Sequence, residues 1–283
     1  MGRITTRRRV VRIQRGADRH RRADVLAVEE PLEIRVGGQR LAVTMRTPGN
    51  DFELVAGFLV AEGIISARDQ LLASRYCAGA TTTSDTLIAG ANTYNVVDTT
   101  LAAGVPAPEP RRNYTMTSAC GVCGKASIDD VVVASDFDIA DDSVQIDSAT
   151  LLRLPDALRT GQAVFDKTGG LHAAALFDAD GDMLVLREDV GRHNAVDKVI
   201  GWALLNGRLP LRGHILQVSG RASFELVQKA TMAGVPLLSA VSAPSSLAVE
   251  LAEDRGMTLA GFVRGDSMVV YTRDDRIADD DPA

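Results

Sequence analysis

Three cysteines, four histidines and one tryptophan are thinly spread through 283 residues, and each scarcity excludes something. Three cysteines cannot build the disulfide framework of a small secreted domain. With no apolar signal segment behind the N-terminal arginines, the chain is expected to fold without disulfides in a reducing cytoplasm. Beside the one C-x-x-C pair, only Cys77 and the scattered His20, His172, His193 and His214 remain, so a structural zinc lacks its second pair of ligands. No structural metal is expected. No apolar run is long enough to span a bilayer, which removes a membrane partner. Neither G-x-G-x-x-G nor G-x-x-x-x-G-K-[ST] occurs, so neither a dinucleotide-dependent hydride enzyme nor a P-loop NTPase is supported. The zinc deaminases need H-x-E followed by P-C-x-x-C; here His172-Ala173-Ala174 lacks the glutamate and the cysteine pair comes first.

What is present centres on Cys120-Gly121-Val122-Cys123-Gly124-Lys125, which holds two of the three cysteines. Free cysteine, with a pKa of roughly 8.5, is only a few per cent thiolate at neutral pH. A helix N-terminus lowers that by less than about one unit, and Lys125 is the nearest cation that could add to it. A thioredoxin-like redox pair or half of a zinc site are the alternatives. The first sits early in a βαβ pattern and the second needs more ligands. The favoured reading is an exposed loop that carries a nucleophilic sulfur.

The formal net charge of −6 disfavours nucleic-acid binding by the body of the protein, but the charge is uneven. Residues 1–28 form an arginine-rich arm in which Val10, Val11 and Ile13 interleave with Arg12 and Arg15 in near-strand alternation. An acidic tail, 273–283, is expected to be disordered. Between them lie a small α+β region, 29–112, and an α/β region, 113–272. The first is expected to hold a hairpin around Gly37-Gly38, then a buried helix with Asn50 and Glu53 as capping box and Gly63 as stop, then β-prone runs at Thr86–Ala89 and Tyr94–Val97. Pro106, Pro108 and Pro110 mark a linker into the cysteine loop. Ser127 and Asp130 can cap a short helix after it.

Further on, a helix over Ser148–Thr160, a hairpin across Asp180-Gly181 and a βαβαβ alternation predict an α/β fold: a mixed sheet with helices on both faces. Three junctions there share glycine, serine and arginine: Asp189-Val190-Gly191-Arg192-His193-Asn194, Ser219-Gly220-Arg221-Ala222-Ser223 and Ser242-Ala243-Pro244-Ser245-Ser246. Ligands of open α/β sheets bind outside the carboxyl ends of the strands, where helix N-termini offer N–H groups to anions. Three such junctions together point to a phosphate-bearing ligand.

These residues, with Glu30-Pro31-Leu32-Glu33-Ile34, Met45-Arg46-Thr47-Pro48, Gly169-Gly170-Leu171-His172 and the run Glu188–Lys198, resemble the formate dehydrogenase accessory sulfurtransferase family (FdhD) from Glu29 to Thr272. The resemblance implies a cytidine deaminase-like C-terminal fold. It also implies a sulfur carrier that takes persulfide sulfur from a cysteine desulfurase and passes it to the molybdenum cofactor Mo-bis-molybdopterin guanine dinucleotide (Mo-bis-MGD), ahead of insertion into formate dehydrogenase. On that reading Cys120 carries the persulfide, Cys123 acts as relay or resolving thiol, and Lys125 supports the anion. Asp189, Arg192, His193, Arg221 and Ser223 line the crevice, and the cofactor-binding segment falls on Phe262, Val263, Arg264, Gly265, Asp266 and Ser267. A homodimer is also implied. The alternative function is a non-catalytic chaperone for the same cofactor, which needs the crevice but no reactive sulfur. His172 is open between a ligand and a packed structural histidine, and isolated Cys77 is expected to be buried and dispensable.

Overall fold

The computed structural model describes residues 4–16, 18–77, 94–106, 114–115 and 133–279. The chain opens with β1 (Thr5–Arg12) and β2 (His20–Ala27), paired antiparallel as a separate two-stranded ribbon. The interleaved valines and arginines of the N-terminal arm therefore belong to real strands. Strands β3 (Glu30–Val36) and β4 (Gln39–Arg46) form the expected hairpin, with Gly37 and Gly38 both at positive φ in its turn. Helix α1 (Asp51–Ala61) follows, and Gly63 stops it in the left-handed region.

Its N-terminus differs from expectation. Asn50 is itself left-handed, with φ 56°, and makes no side-chain cap. The capping box fails because Asn50 is left-handed and Glu53 is engaged elsewhere. Glu53 forks onto Arg187, with Oε1 accepting from Nη2 at 2.7 Å, and Asp51 receives the buried Arg46 guanidinium at 2.9 Å.

The next strands are β5 (Leu71–Tyr76), β6 (Val96–Leu101) and β7 (Tyr114–Thr115), giving a five-stranded sheet in the order β5-β6-β3-β4-β7. Strand β6 begins two residues later than the run expected from Tyr94, and Thr86–Ala89 lies outside the described residues. Cys77 follows edge strand β5 and is partly exposed rather than buried, because an edge strand covers only one side of its flank.

Short strand β8 (Ile146–Asp147) leads into α2 (Ser148–Gly161), whose first turn is capped by Asp147 accepting from the Thr150 N–H at 2.9 Å. Then come α3 (Phe165–Thr168), β9 (His172–Phe177), β10 (Met183–Asp189), α4 (Arg192–Leu205), β11 (Ile215–Val218), α5 (Phe224–Met232), β12 (Leu237–Ala240), α6 (Ser246–Asp254), β13 (Thr258–Arg264) and β14 (Ser267–Thr272). They build a six-stranded mixed sheet, β10-β9-β11-β12-β13-β14, parallel only between β11, β12 and β13. Alternation splits its residues between two cores. Ala174, Leu176, Leu216, Val218, Leu238 and Leu259 face the larger one with α1, α4, α5 and α6. Ala173, Ala175, Phe177, Ile215, Leu237 and Val263 face the smaller one with α2.

The larger core runs without a break into the N-terminal sheet, through α1 packed on α4. Two glycines permit that crossing. A Cβ on Gly57 would lie 1.8 Å from the Asp197 carbonyl oxygen, and one on Gly201 would lie 1.8 Å from that of Glu53.

The expectation of a disordered tail is corrected. Residues Asp274–Arg276 form a 3-10 turn, and β15 (Ile277–Ala278) pairs in parallel with β8. Arg276 is 1 % exposed and donates to the carbonyls of Ile139 at 2.7 Å, Gly256 at 2.8 Å and Pro236 at 3.1 Å. One guanidinium thus fastens three distant loops, a long-range role that the local acidic composition does not display. Only 280–283 of the tail lies outside the described residues. No helix among the described residues is long and apolar enough to cross a membrane.

Candidate functional site

Strands β11, β12 and β13 end on one edge of the six-stranded sheet, and β10 ends there beside the start of β9, with Asp189 opposite His172. The three glycine-serine-arginine junctions meet along this edge. His193 Nε2 lies 3.4 Å from Ser223 Oγ, joining the first to the second. Ala222 and Pro244 form a parallel bridge, and the Ser245 N–H donates to the Ala222 carbonyl at 3.0 Å, joining the second to the third. Helices α4 and α5 start here without a side-chain cap, whereas Ser245 caps α6 by accepting from the Ala248 N–H. The first turn of α4 carries Arg192 and no acid. A cation at the positive end of a helix dipole is unfavourable alone and favourable once an anion sits between them.

A cleft of about 510 Å³ opens at this edge. One wall is made by Val190, Ser219, Val241 and Arg264 from the strand ends. The other is made by α2 and α3, through Asp156, Arg159, Gln162 and Phe165, and Gly169, Gly170 and His172 close the end between them. That second wall was not anticipated. Its signals are faint: a helix interrupted by Pro155 and a Gly169-Gly170 pair, each of which has an ordinary structural reading.

Beneath the cleft, most of the motif run Glu188–Lys198 is structural. Glu188 accepts the Val164 and Phe165 N–H groups at 2.9 and 2.8 Å, fixing the start of α3. Asp189 is fully buried. One oxygen accepts from the Gly191 N–H and the Asn194 amide at 2.9 and 3.0 Å, and the other from the Thr47 N–H at 3.1 Å and Lys198 Nζ at 2.7 Å. Asn194 also donates to the Met45 carbonyl at 2.7 Å, and Lys198 to that of Thr47 at 3.0 Å. The stretch Met45–Thr47 and the run Glu188–Lys198 are therefore two halves of one clamp. They fix the backbone from which Arg192 projects.

The site residues inferred from sequence sort accordingly. Arg264 lines the cleft. Arg221 is exposed and Arg192 and Ser223 are half-buried at the adjoining junctions. Asp189 does not line the cleft, because all of its acceptor capacity faces inward. His193 is 4 % exposed and points at Ser223 and at Glu225, 3.7 Å away. Burial pushes the His193 imidazole below its usual pKa. Glu225 is held down to about 2, first by its hydrogen bond with His193 and against its own burial.

Val263 is in the core, while Phe262 takes φ 53° at a bulge in β13 and turns Arg264 outward, its guanidinium 5.9 Å from the Phe262 ring. Gly265, Asp266 and Ser267 are exposed at the β13–β14 turn. Cys120, Cys123 and Lys125, with Ser127 and Asp130, lie outside the described residues. The described chain leaves toward that segment at Thr115, beside β4, and resumes at Val133, which the Gln228 amide of α5 holds at 2.9 Å.

Among the described residues no group of three or more histidine, cysteine, aspartate or glutamate side chains could hold a metal ion. For an anionic, phosphate-bearing ligand the donor set fits. Arg192 Nε is buried without a hydrogen-bond partner, two helix starts are uncapped, and Arg264 and Arg221 flank them.

Comparison with known proteins agrees over nearly the whole chain. The FdhD/NarQ family model matches residues 27–278. The chain is 61 % identical to the sulfur carrier protein FdhD of Mycolicibacterium paratuberculosis over 276 residues, covering 97 % of this chain and 99 % of that one. It is 57 % identical to the protein of the same name from Streptomyces coelicolor, with 98 % and 97 % covered. Among solved structures, a protein of Desulfotalea psychrophila described as a candidate formate dehydrogenase accessory protein superposes with a TM-score of 0.76 at 23 % identity, covering 97 % of this chain and all of that one, and so shares the fold. The chain belongs to the FdhD/NarQ family.

Proposed function

We propose that this protein is a sulfur carrier in the maturation of formate dehydrogenase. The observation that carries the reading is the near full-length identity to relatives named sulfur carriers, and the anion-accepting cleft supports it. A persulfide-bearing cysteine desulfurase is the donor. The Cys120 thiolate attacks the outer sulfur of the donor persulfide, the donor S–S bond breaks, a new S–S bond forms on Cys120, and the donor thiolate leaves. Lys125 supports the thiolate. Release follows when the Cys123 thiolate attacks Cys120 Sγ. A Cys120–Cys123 disulfide forms and the outer sulfur departs as hydrosulfide, so the sulfur is reduced by the two cysteines and a dithiol reductant must reset them.

The recipient is Mo-bis-MGD as substrate, with its phosphates at the three junctions and Arg264, Arg192 and Arg221 as the cationic contacts. The cofactor presents two diphosphates, more phosphate than one junction can satisfy. The protein acts in the cytoplasm as a homodimer, which sedimentation at micromolar concentration tests.

In cells lacking this protein, the wild-type chain restores formate dehydrogenase activity and Cys120→Ala does not; restoration by Cys120→Ala would leave only a cofactor-binding chaperone. Guanosine diphosphate is expected to bind without magnesium, more weakly as salt rises, and to lose at least about tenfold in affinity, ~1.4 kcal/mol, in Arg221→Ala. An Arg221→Ala protein that binds it normally would remove the junctions as the phosphate site.

A further inference from the structure

The ribbon of β1 and β2 supplies none of the cleft-lining side chains, yet it is the most densely basic part of the chain. Residues 1–28 hold nine arginines against two aspartates, in a protein whose formal net charge is −6. The body that carries the ribbon is therefore more acidic than the total shows. Charge of one sign held this densely repels itself, and no residue of either strand is buried in return.

The two faces of the ribbon differ. Cross-strand register puts Arg7, Arg9 and Val11 of β1 on one face with Arg21, Ala23 and Val25 of β2. All of these but Val25 are exposed, and no acid shares the face. The opposite face holds Arg8, Arg12 and Arg22, and there Asp24 lies across from Arg8 and pairs with Arg22 at 3.1 Å. Among the described residues Arg7, Arg9 and Arg21 have no carboxylate partner. Position matters as much as charge. The Val28 N–H donates to the Ile4 carbonyl at 2.9 Å and closes the base of the ribbon, and β2 packs on α3, which helps to wall the cleft. A basic surface roughly 25 Å long therefore stands beside the cleft.

We propose that the face bearing Arg7, Arg9 and Arg21 docks an acidic face of the protein that takes over the ligand of the cleft, and so holds that protein beside the cleft. The inference rests on the reading that this ligand goes on to formate dehydrogenase, and it assigns the hand-over surface to residues outside both the cleft and the cysteine loop. Arginine suits the task because its planar fork meets a carboxylate through two bonds, and it is enriched at protein interfaces. Val11, 49 % exposed and paired across the ribbon with Arg21, adds an apolar contact among the charges. A nucleic acid suits the ribbon less. Residues 1–28 contain no aromatic side chain on which a base could stack, and a polyanion longer than the ribbon would meet the acidic body.

Binding of the apo catalytic subunit of formate dehydrogenase, followed by interferometry at low and high salt, tests it on the full chain and on two triple variants that remove the same charge. These are Arg7→Gln/Arg9→Gln/Arg21→Gln and Arg8→Gln/Arg12→Gln/Arg22→Gln. The first is expected to lose about tenfold or more in affinity, mostly through the association rate, together with most of the salt dependence; the second is expected to lose less than about threefold. Both should melt with the wild type and bind guanosine diphosphate as it does, because none of these side chains is buried or lines the cleft. Equal losses in the two variants would reduce the ribbon to a diffuse charge, and a first variant that binds like wild type would remove it from the interface; either result overturns the inference. So does a wild-type chain that binds a short DNA duplex or phosphatidylserine vesicles more tightly than the subunit. A wild-type chain that does not bind the subunit overturns it too. If that chain still restores formate dehydrogenase activity in cells lacking it, the proposed function stands without the docking face; if it does not, both fall.

Discussion

The two faces of the six-stranded sheet treat their polar groups in opposite ways. On the α4 face, buried charges are matched: Lys198 with Asp189, and Lys229 with Asp197 at 2.6 Å. On the α2 face, Ser239 Oγ and Gln217 Oε1 are buried without hydrogen-bond partners among the described residues. Polar groups that are satisfied locally hold the frame, whereas each one left unsatisfied calls for a reason. Two groups on the packed face depart from this rule, Glu62, whose Oε2 is buried without a partner among the described residues at the end of α1, and Asp197. Asp197 has one oxygen without a partner, and burial pushes its pKa up to about 6 in spite of Lys229.

The largest expected effect falls on the matched face. Asp189→Ala would strand the buried Lys198 ammonium and remove one of the two acceptors of the Asn194 amide. It should cost roughly 3–5 kcal/mol in a denaturant melt. If stability were unchanged and only nucleotide affinity fell, Asp189 would be a ligand contact after all.

Next in size, Gly57→Ala would drive a methyl into the Asp197 carbonyl at the α1–α4 crossing. Since backbone rather than a flexible side chain blocks it, a loss of about 3 kcal/mol is expected. Arg276→Ala should cost about 2–3 kcal/mol, because carbonyls of three loops lose a charged donor at once. A chain ending at Asp279 should melt like the full one. Equal stability of Arg276→Ala and wild type would return the tail to the disordered state that its composition suggests.

The smallest effect is a pH dependence. The folded pKa of His193 is lowered, so its contribution to stability is present above its unfolded value of about 6.5 and is lost as pH falls below it. Glu225, depressed to about 2, contributes above its unfolded value of 4.5, and that contribution is lost as pH falls toward 2. Asp197, raised to about 6, acts in the other direction: its penalty fades as pH falls from 6 toward 4. Between pH 7 and 5 the loss should therefore come from His193 together with His172, whose pKa burial also lowers. His193→Gln should make the stability profile less steep there, and an unchanged slope would mean that the imidazole is not buried in its neutral form.

What was legible in the sequence follows the same division. The junctions could be read because glycine, serine and arginine at strand ends act locally, and the hairpins because their turns are short. The Asn50 capping box misled because Glu53 was taken by Arg187, 134 residues beyond it. The tail misled because a single buried guanidinium outweighs its acidic composition. The cleft wall made by α2 and α3 carried only a faint signal, since its residues come together only in the fold.

The central claim is that sulfur travels on Cys120, and intact-mass spectrometry after incubation with a cysteine desulfurase and cysteine tests it most directly. The wild-type chain should gain the mass of one sulfur, lose it on treatment with a thiol reductant, and show no gain in Cys120→Ala. A wild-type chain that gains nothing, or a Cys120→Ala chain that gains the same adduct, would contradict the account.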